Sequence, residues 1–164
     1  MIKPIYTWAR LHELTGPQVH EILQARESVF IVEQNCPYPD ADHADINAWH
    51  MTGRINGRLA CYVRVLAPGE KYAEPSIGRV LTTAEFRGAG LGRPMMQEAI
   101  RQTNHLFPGQ NICIGAQAHL HKFYGSLGFE QCSEEYLEDG IAHILMLRRS
   151  FGAPLLSDGA QNTR

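Results

Sequence analysis

The chain has 164 residues, 44% of them hydrophobic, which is enough for one domain with a globular core. Its formal net charge of -2 gives no basis for binding nucleic acid or another polyanion, and no apolar stretch approaches the length of a membrane span. The N-terminus lacks the apolar segment of a signal peptide and the four cysteines are scattered without C-x-x-C spacing, so we expect a cytoplasmic protein with free thiols.

A strand and a capped helix are predicted at the start of the chain. Residues 5–11 alternate loosely between two faces, which indicates a strand. Thr15 and Gln18 have the spacing of a capping box, and Pro17 is tolerated in a first helical turn. Apolar residues at helical spacing then continue to Phe30, so the first helix is predicted to end at about that residue.

A long acidic loop follows this helix at residues 31–47. Pro37 and Pro39 exclude a continuous helix, and a loop of this length inside a compact domain is usually functional or disordered. An EF-hand would need a central glycine and a closing glutamate, and neither is in place, so no metal is expected. The acidic cluster favours a solvated lip or a site that recognises a cationic substrate.

Three strands are predicted next, the first two as a hairpin. Residues 48–55 and 58–66 flank Asn56-Gly57, and Asn-Gly between two strand-like runs is a strong hairpin signal. Apolar and β-branched residues at 77–82 predict a buried central strand, which leads into a glycine-rich turn.

That turn has the composition of a phosphate-binding site. Gly88, Gly90 and Gly92 permit positive φ and close approach of the backbone, and the first amides of the next helix, predicted at about 90–104, lack intrahelical partners. Arg87 adds a positive charge. A P-loop would need Lys and Ser/Thr after its last glycine, and a dinucleotide fingerprint would need G-x-G-x-x-G spacing. The pattern that fits is R-x-x-G-x-G, formed by Arg87, Gly90 and Gly92.

The last part of the chain is predicted to add a strand, a short helix and a second hairpin. Residues 111–116 indicate a buried strand, and a short helix begins at His119 and ends in a glycine turn. Asp139-Gly140 marks a hairpin between strands at 134–137 and 141–147.

The predicted elements make an α/β fold with a mixed sheet. Their order is β-α-loop-β-β-β-α-β-α-β-β, in which the strands before and after the second helix form a parallel βαβ pair. We expect one domain over residues 1–149 and a disordered tail at 150–164, because the tail is small, polar and aperiodic.

Two motifs at this spacing resemble those of the GNAT acetyltransferases. They are Arg87-x-x-Gly90-x-Gly92 after the central strand and Phe123-Tyr124-x-x-Leu127-Gly128-Phe129 after the strand at 111–116. Runs at 29–40, 77–80, 116–120 and 136–143 are similar to the ElaA-type branch of that family. The resemblance implies the GNAT acyl-CoA N-acyltransferase fold over nearly the whole chain. It also implies direct, metal-free acetyl transfer from acetyl-CoA to an amine in a ternary complex.

The resemblance assigns a role to each part of the donor site. Backbone amides of the turn hold the pyrophosphate, and the edge of the central strand at Leu81 and Thr82 pairs with the pantetheine arm. An amide of that strand polarises the thioester carbonyl. Tyr124 lies where family members often place the acid for the departing thiolate, and it also contacts the cosubstrate. The residues implied for the pyrophosphate are Arg87, Gly88, Ala89, Gly90, Leu91 and Gly92.

Two residues are candidates for the general base. A protonated amine has no lone pair, so a base or a water chain must remove its proton before attack. Glu33 lies in the acidic loop, where substrates commonly bind in this fold, and His119 lies at the start of the short helix near Tyr124. The alternatives are a solvated or ion-paired Glu33, a capping His119 and a Tyr124 that only packs. The acceptor is expected to be a small-molecule or peptide amine.

Two other functions share the predicted fold. One is an acyl-homoserine-lactone-synthase-like acyltransferase, because Arg26, Asp42 and Asp45 faintly resemble the first segment of that family. Those enzymes generally take the acyl group from a carrier protein and lack so clear a pyrophosphate turn. The other is a non-catalytic acetyl-CoA-binding GNAT module, against which an intact Tyr124 argues. Many family members dimerise, which leaves a homodimer open, and neither nucleic acid nor a membrane is expected as a partner.

Overall fold

The computed structural model describes residues 2–150 and arranges them around one eight-stranded sheet. Its strands are β1 Ile5–Arg10, β2 Trp49–Ile55, β3 Arg58–Leu66, β4 Ser76–Thr82, β5 Ile112–Gln117, β6 Phe129–Gln131, β7 Tyr136–Glu138 and β8 Ile141–Arg148. Its α-helices are α1 Gly16–Arg26, α2 Gly92–Leu106 and α3 His121–Gly125. The strand order is β1-β2-β3-β4-β5-β8-β6, and β7 pairs with β8 off this path.

Neighbouring strands are antiparallel except for β4 and β5, which precede and follow α2. This confirms the predicted α/β fold with a mixed sheet and a parallel βαβ pair. The two strands pair at one position, where Ser76 lies opposite Cys113 and the Cys113 amide donates to Pro75 O at 3.0 Å. Because the pairing stops there, β4 and β5 diverge toward their carboxyl ends and leave an opening in the sheet.

Helix α2 packs on the sheet with one face. The buried residues of that face, which recur at helical spacing, are Met95, Met96, Ala99, Ile100 and Thr103. Each large apolar side chain buried in this way contributes about 1.5–3 kcal/mol to stability. The Thr103 hydroxyl donates to Ala99 O at 2.7 Å, so its polar atom is satisfied inside the core. The helix runs from Gly92 to Leu106 and therefore begins and ends slightly later than predicted.

The capping box predicted at the start of α1 is present. The Gln18 amide donates to Thr15 Oγ1 at 3.3 Å, and the Thr15 amide donates to Gln18 Oε1 at 2.9 Å. The α-helix ends at Arg26, earlier than predicted, and the chain continues through π-helical turns over Glu27–Glu33. Such turns continue the helix with hydrogen bonds between residues i and i+5, and they often occur at functional sites.

The end of the chain has one strand more than predicted. The short strand β6 pairs with β8, so three strands rather than two follow α3. Only Phe129 of β6 is buried, and three residues leave no alternating pattern to recognise. The tail predicted at 150–164 lies, apart from Ser150, outside the described residues. Within residues 2–150, no helix is both long and apolar enough to cross a membrane.

Candidate active site

A cleft of about 560 Å³ opens where β4 and β5 diverge. One wall is formed by residues 76–80 of β4, and the facing wall by Ile114, Gly115 and Gln117 of β5. Other elements that border the cleft contribute Phe30 and Tyr38 from the segment after α1, Tyr124 from α3, and Glu138 and His143 from the β7–β8 hairpin. The cleft therefore joins the parallel strand pair to the acidic loop and to the C-terminal hairpin.

Strand β4 contains a β-bulge where it borders the cleft. The register of β4 against β3 shifts after Gly78, so β4 has one extra residue before Leu81. Arg79 lies in this bulge with a φ of +50, a conformation that costs a non-glycine residue on the order of 1–3 kcal/mol. Its Nε lies 2.8 Å from Asp40 Oδ1, and this buried carboxylate holds the side chain in place. Bulges of this kind bend a strand and often occur next to active sites.

The two residues predicted at the pantetheine edge, Leu81 and Thr82, lie beyond the bulge. Leu81 is buried against Tyr62, and Thr82 pairs with Cys61 of β3. Neither residue borders the cleft, since the part of β4 that does so is residues 76–80. The part of β4 that lines the cleft therefore lies earlier in the strand than the two residues predicted.

The turn between β4 and α2 has free backbone amides. Gly88 and Gly90 have φ values of +79 and +73, in the left-handed region that favours glycine, and a Cβ added to either would meet nothing within 4 Å. The Ala89 amide donates within the turn at 3.4 Å. The other amides from Gly88 to Gly92 have no acceptor among residues 2–150. Unpaired amides at the N-terminus of a helix of this length form an arrangement that binds anions.

Helix α3 lies beside this turn and carries Tyr124. A Cβ on Gly92 would lie 3.5 Å from the Phe123 ring, and Arg93 Nη2 donates to Ser126 Oγ at 2.6 Å. Tyr124 is 8% exposed and makes edge contacts with the rings of Phe123 and Phe129, at centroid distances of 5.1 and 6.1 Å. Burial raises the pKa of Tyr124 to about 12, so its phenol is protonated at neutral pH. The side chain is thus packed and also in the protonation state that an acid needs.

Glu33 lies outside the cleft lining and is bound to Arg87. Glu33 Oε2 lies 2.6 Å from Arg87 Nη2, and the two side chains are 37% and 45% exposed. The structure brings together the carboxylate predicted as a base and the guanidinium predicted to bind the pyrophosphate. This arrangement corresponds to the ion-paired alternative for Glu33.

The histidine predicted as a base lies outside the cleft lining, whereas another histidine lies in it. His119 is exposed in a 3-10 helix, Ala118–Leu120, and does not line the cleft. His143 does line it, with Nδ1 2.7 Å from Ile141 O and Nε2 3.6 Å from Glu138 Oε2. Alternation along β8 could have indicated this position, because its neighbours Ile144 and Met146 point into the core on every second residue.

The acidic loop is neutralised by three arginines. The charged residues of this network, which we call the arginine–aspartate network, are Arg26, Arg64, Arg79, Asp40, Asp42 and Asp45. Arg26 is fully buried, with Nε 2.8 Å from Asp40 Oδ2 and Nη1 2.7 Å from Asp45 Oδ1. Burial alone would raise the pKa of Asp45, but hydrogen bonds with Arg26 and Arg64 lower it to about 2.

The prediction of a solvated acidic lip is therefore wrong for Asp40 and Asp45, which are buried in ion pairs. Their carboxylates are already occupied by guanidinium groups of the same chain, which leaves them unsuited to recognising a cationic substrate. Residues 2–150 contain no group of three or more His, Cys, Asp or Glu side chains placed to hold a metal ion.

Known proteins have the same fold and are similar in sequence. Residues 44–149 match the family model described as Acetyltransferase (GNAT) domain. Protein ElaA of Escherichia coli strain K12 is 41% identical over 145 residues, which cover 86% of this chain and 95% of ElaA. The crystal structure of Escherichia coli ElaA matches with a TM-score of 0.83 at 37% identity and covers 89% of this chain and 99% of its own.

Two further structures match this chain, one in fold and sequence and the other in fold alone. An acyl-CoA N-acyltransferase from Pseudomonas aeruginosa matches with a TM-score of 0.84 at 37% identity, covering 88% of this chain and 99% of its own. The acyl-homoserine-lactone synthase LasI matches with a TM-score of 0.70 at 13% identity, which shows the fold alone. The family model spans more than half of the chain, and ElaA is similar over most of it. The chain therefore belongs to the GNAT acetyltransferase family, whose members are acyltransferases that use acyl-CoA.

Proposed function

We propose that this chain is an acetyl-CoA-dependent N-acetyltransferase that transfers acetyl directly to a small-molecule or peptide amine in a ternary complex. The observation that carries the proposal is the turn from Gly88 to Gly92, with left-handed glycines and unpaired amides at the N-terminus of α2. A diphosphate suits this turn, because it offers several anionic oxygens to amides that lack protein acceptors. Arg87 adds a full positive charge.

The rest of the donor fits the cleft between β4 and β5. Beyond Ser76 the two strands are no longer paired, so residues 76–80 of β4 offer a strand edge to which an extended pantetheine arm can add. A backbone amide of that edge can polarise the thioester carbonyl as negative charge develops on its oxygen. Tyr124, protonated at neutral pH and bordering the cleft, can donate a proton to the thiolate as the carbon–sulfur bond breaks.

The test combines the purified protein with acetyl-CoA and a panel of alkylamines, polyamines, amino acids and short peptides. We expect amine-dependent release of free CoA thiol and a product that mass spectrometry identifies as the acetylated amine. Calorimetry should show acetyl-CoA binding in the submicromolar to millimolar range that is typical of enzyme substrates. If neither a heat of binding nor competition by CoA is found, the donor assignment is overturned.

The two alternative functions give different results in the same assay. A non-catalytic acetyl-CoA-binding module would bind the donor but release no thiol with any amine. An acyl-homoserine-lactone-synthase-like enzyme would prefer an acylated carrier protein to acetyl-CoA. The unpaired amides from Gly88 to Gly92 favour a CoA diphosphate as the donor group. A series of acyl-CoA donors of increasing chain length would further define whether the acyl group is acetyl.

A further inference from the structure

Amine acetylation needs a group that removes a proton from the acceptor, and the β7–β8 hairpin carries a histidine placed for this. We propose that His143 is the general base, and that Glu138 stabilises the imidazolium that forms during the reaction. This inference rests on the proposed function, because it assigns a residue for that same reaction. Both side chains border the cleft that also contains Tyr124 and the open edge of β4.

Hydrogen bonding determines the tautomer of His143. Its Nδ1 lies 2.7 Å from Ile141 O, and a carbonyl oxygen can only accept, so Nδ1 carries the hydrogen. Nε2 of the neutral ring therefore carries no hydrogen and keeps its lone pair. That lone pair is what a base needs to accept a proton. Nε2 lies 3.6 Å from Glu138 Oε2, so an approaching alkylammonium group can donate one hydrogen to the imidazole and another to the carboxylate.

The surroundings hold the ring while leaving it accessible. Tyr136 stacks on His143 with an interplanar angle of 29° and a centroid distance of 6.0 Å, and the imidazole side chain remains 12% exposed. The titratable groups that face it are Glu138 and Tyr136 of β7, whereas β5 presents the neutral Gln117 at the paired position. Lys71 Nζ lies 3.8 Å from Glu138 Oε1 and so shares the carboxylate from the loop before β4.

The candidate bases of the sequence analysis and the buried His50 lack a free basic atom at the cleft. Exposed His43 and Glu70 also line the cleft, but neither side chain has a hydrogen bond or ion pair among residues 2–150 that would orient it. Glu33 is occupied by Arg87 and lies outside the cleft lining, and exposed His119 lies outside it as well. His50 has both ring nitrogens engaged, Nδ1 with Tyr62 OH at 2.6 Å and Nε2 with Asp45 O at 2.9 Å. Burial also lowers the pKa of His50.

The proposed step balances in protons and electrons. His143 Nε2 takes one proton from the ammonium group, and the freed lone pair forms the carbon–nitrogen bond at the acetyl carbon. The carbon–sulfur bond breaks with its electron pair on sulfur. The second amine proton then reaches the thiolate through Tyr124, and the imidazolium releases its proton to solvent, so the products are the amide, CoA thiol and one proton.

The test compares two acceptors of nearly the same shape, ethylamine and methoxyamine. Ethylamine is protonated at neutral pH and needs a base, whereas methoxyamine is already neutral. We expect His143→Asn to lower kcat with ethylamine by about 100-fold or more, the usual contribution of a general base, and to affect methoxyamine far less. Asn at position 143 keeps a hydrogen-bond donor for Ile141 O, and His143→Gln serves as a second variant. The control is His105→Asn, at an exposed position on α2.

Each result supports or overturns the proposal. Acetyl-CoA affinity should be unchanged in both His143 variants, and the loss of kcat should be much greater with ethylamine than with methoxyamine. Equal losses of kcat with the two amines would overturn the base while leaving the proposed function intact. If the wild-type protein turns over neither amine nor any other in the panel, the proposed function fails and the base assignment fails with it.

Discussion

Glu33 Oε2 lies 2.6 Å from Arg87 Nη2, so the segment after α1 is bound to the turn that precedes α2. The carboxylate occupies the guanidinium that the family resemblance assigns to the pyrophosphate. Binding of a CoA diphosphate at the turn therefore has to compete with Glu33 for Arg87. The same contact links this turn to the acidic loop, part of which lines the cleft.

We expect Glu33→Gln to tighten binding of acetyl-CoA. The change removes both a competitor for Arg87 and a negative charge near the diphosphate. Because an exposed ion pair is worth about 0.2–1 kcal/mol, the gain in affinity should not exceed about fivefold and should shrink with added salt. Calorimetry at low ionic strength measures it, with the exposed Glu130→Gln as the control. Unchanged or weaker binding would contradict the competition, and lost turnover would restore Glu33 as a candidate base.

Gly90→Val should abolish donor binding without preventing folding. Gly90 has a φ of +73 and open space around its Cβ position, so the added side chain would fill the volume that the diphosphate needs. Gly109→Val is a matched control, because Gly109 has a φ of +76 and equally open space in the loop after α2. Both variants should lose about 1–2 kcal/mol of stability through backbone strain. Equal acetyl-CoA affinities in the two folded variants would refute a role for the turn in phosphate binding.

Tyr124→Phe should lower kcat and leave acetyl-CoA affinity nearly unchanged. Phe keeps the ring contacts with Phe123 and Phe129 but cannot protonate the thiolate. A fall of about 100-fold is typical when a general acid is removed. Since burial raises the pKa of Tyr124 to about 12, the wild-type rate should show no loss of this acid through pH 9 or so. The control is Tyr6→Phe, because Tyr6 lies on β1 outside the cleft lining. Equal kcat values in the wild type and both variants would leave Tyr124 only a packing role.

Local sequence patterns predicted the helix cap, the hairpin turn and the glycine conformations correctly. The capping box of Thr15 and Gln18, the Asn56-Gly57 hairpin and the left-handed glycines of the phosphate turn each depend on a few neighbouring residues. Their conformations follow from backbone sterics and hydrogen bonding over one turn, so the sequence alone identifies them.

The features that the sequence missed depend on contacts between distant segments. The bulge at Arg79 is held by Asp40, about forty residues earlier, and no local pattern predicts an arginine with positive φ inside a strand. The pairing of Glu33 with Arg87 likewise needs the fold before it can form. His143 was not among the predicted site residues, because only the packing of β7, β8 and β5 shows which face of the hairpin borders the cleft.

The arginine–aspartate network should make stability depend on pH in acid. The pKa of Asp45 is lowered from 3.8 to about 2 in the folded state, so the folded protein binds this proton less tightly than the unfolded chain does. The stabilisation that Asp45 provides is therefore complete above about pH 4 and is lost as the pH falls through about 2. Asp45→Asn should reduce stability at neutral pH by about 3 kcal/mol, because it leaves part of the charge on Arg26 and Arg64 unpaired.

Denaturant unfolding as a function of pH measures this effect. The difference in unfolding free energy between the wild type and Asp45→Asn should be largest at neutral pH and should shrink between about pH 4 and pH 2, because the wild-type carboxylate becomes protonated there. Glu135→Gln, which removes an exposed carboxylate, should follow the wild-type curve to within about 0.5 kcal/mol. A constant difference across the acid range would mean that the ionised form of Asp45 does not stabilise the fold. The network would then contribute through shape and packing rather than through charge.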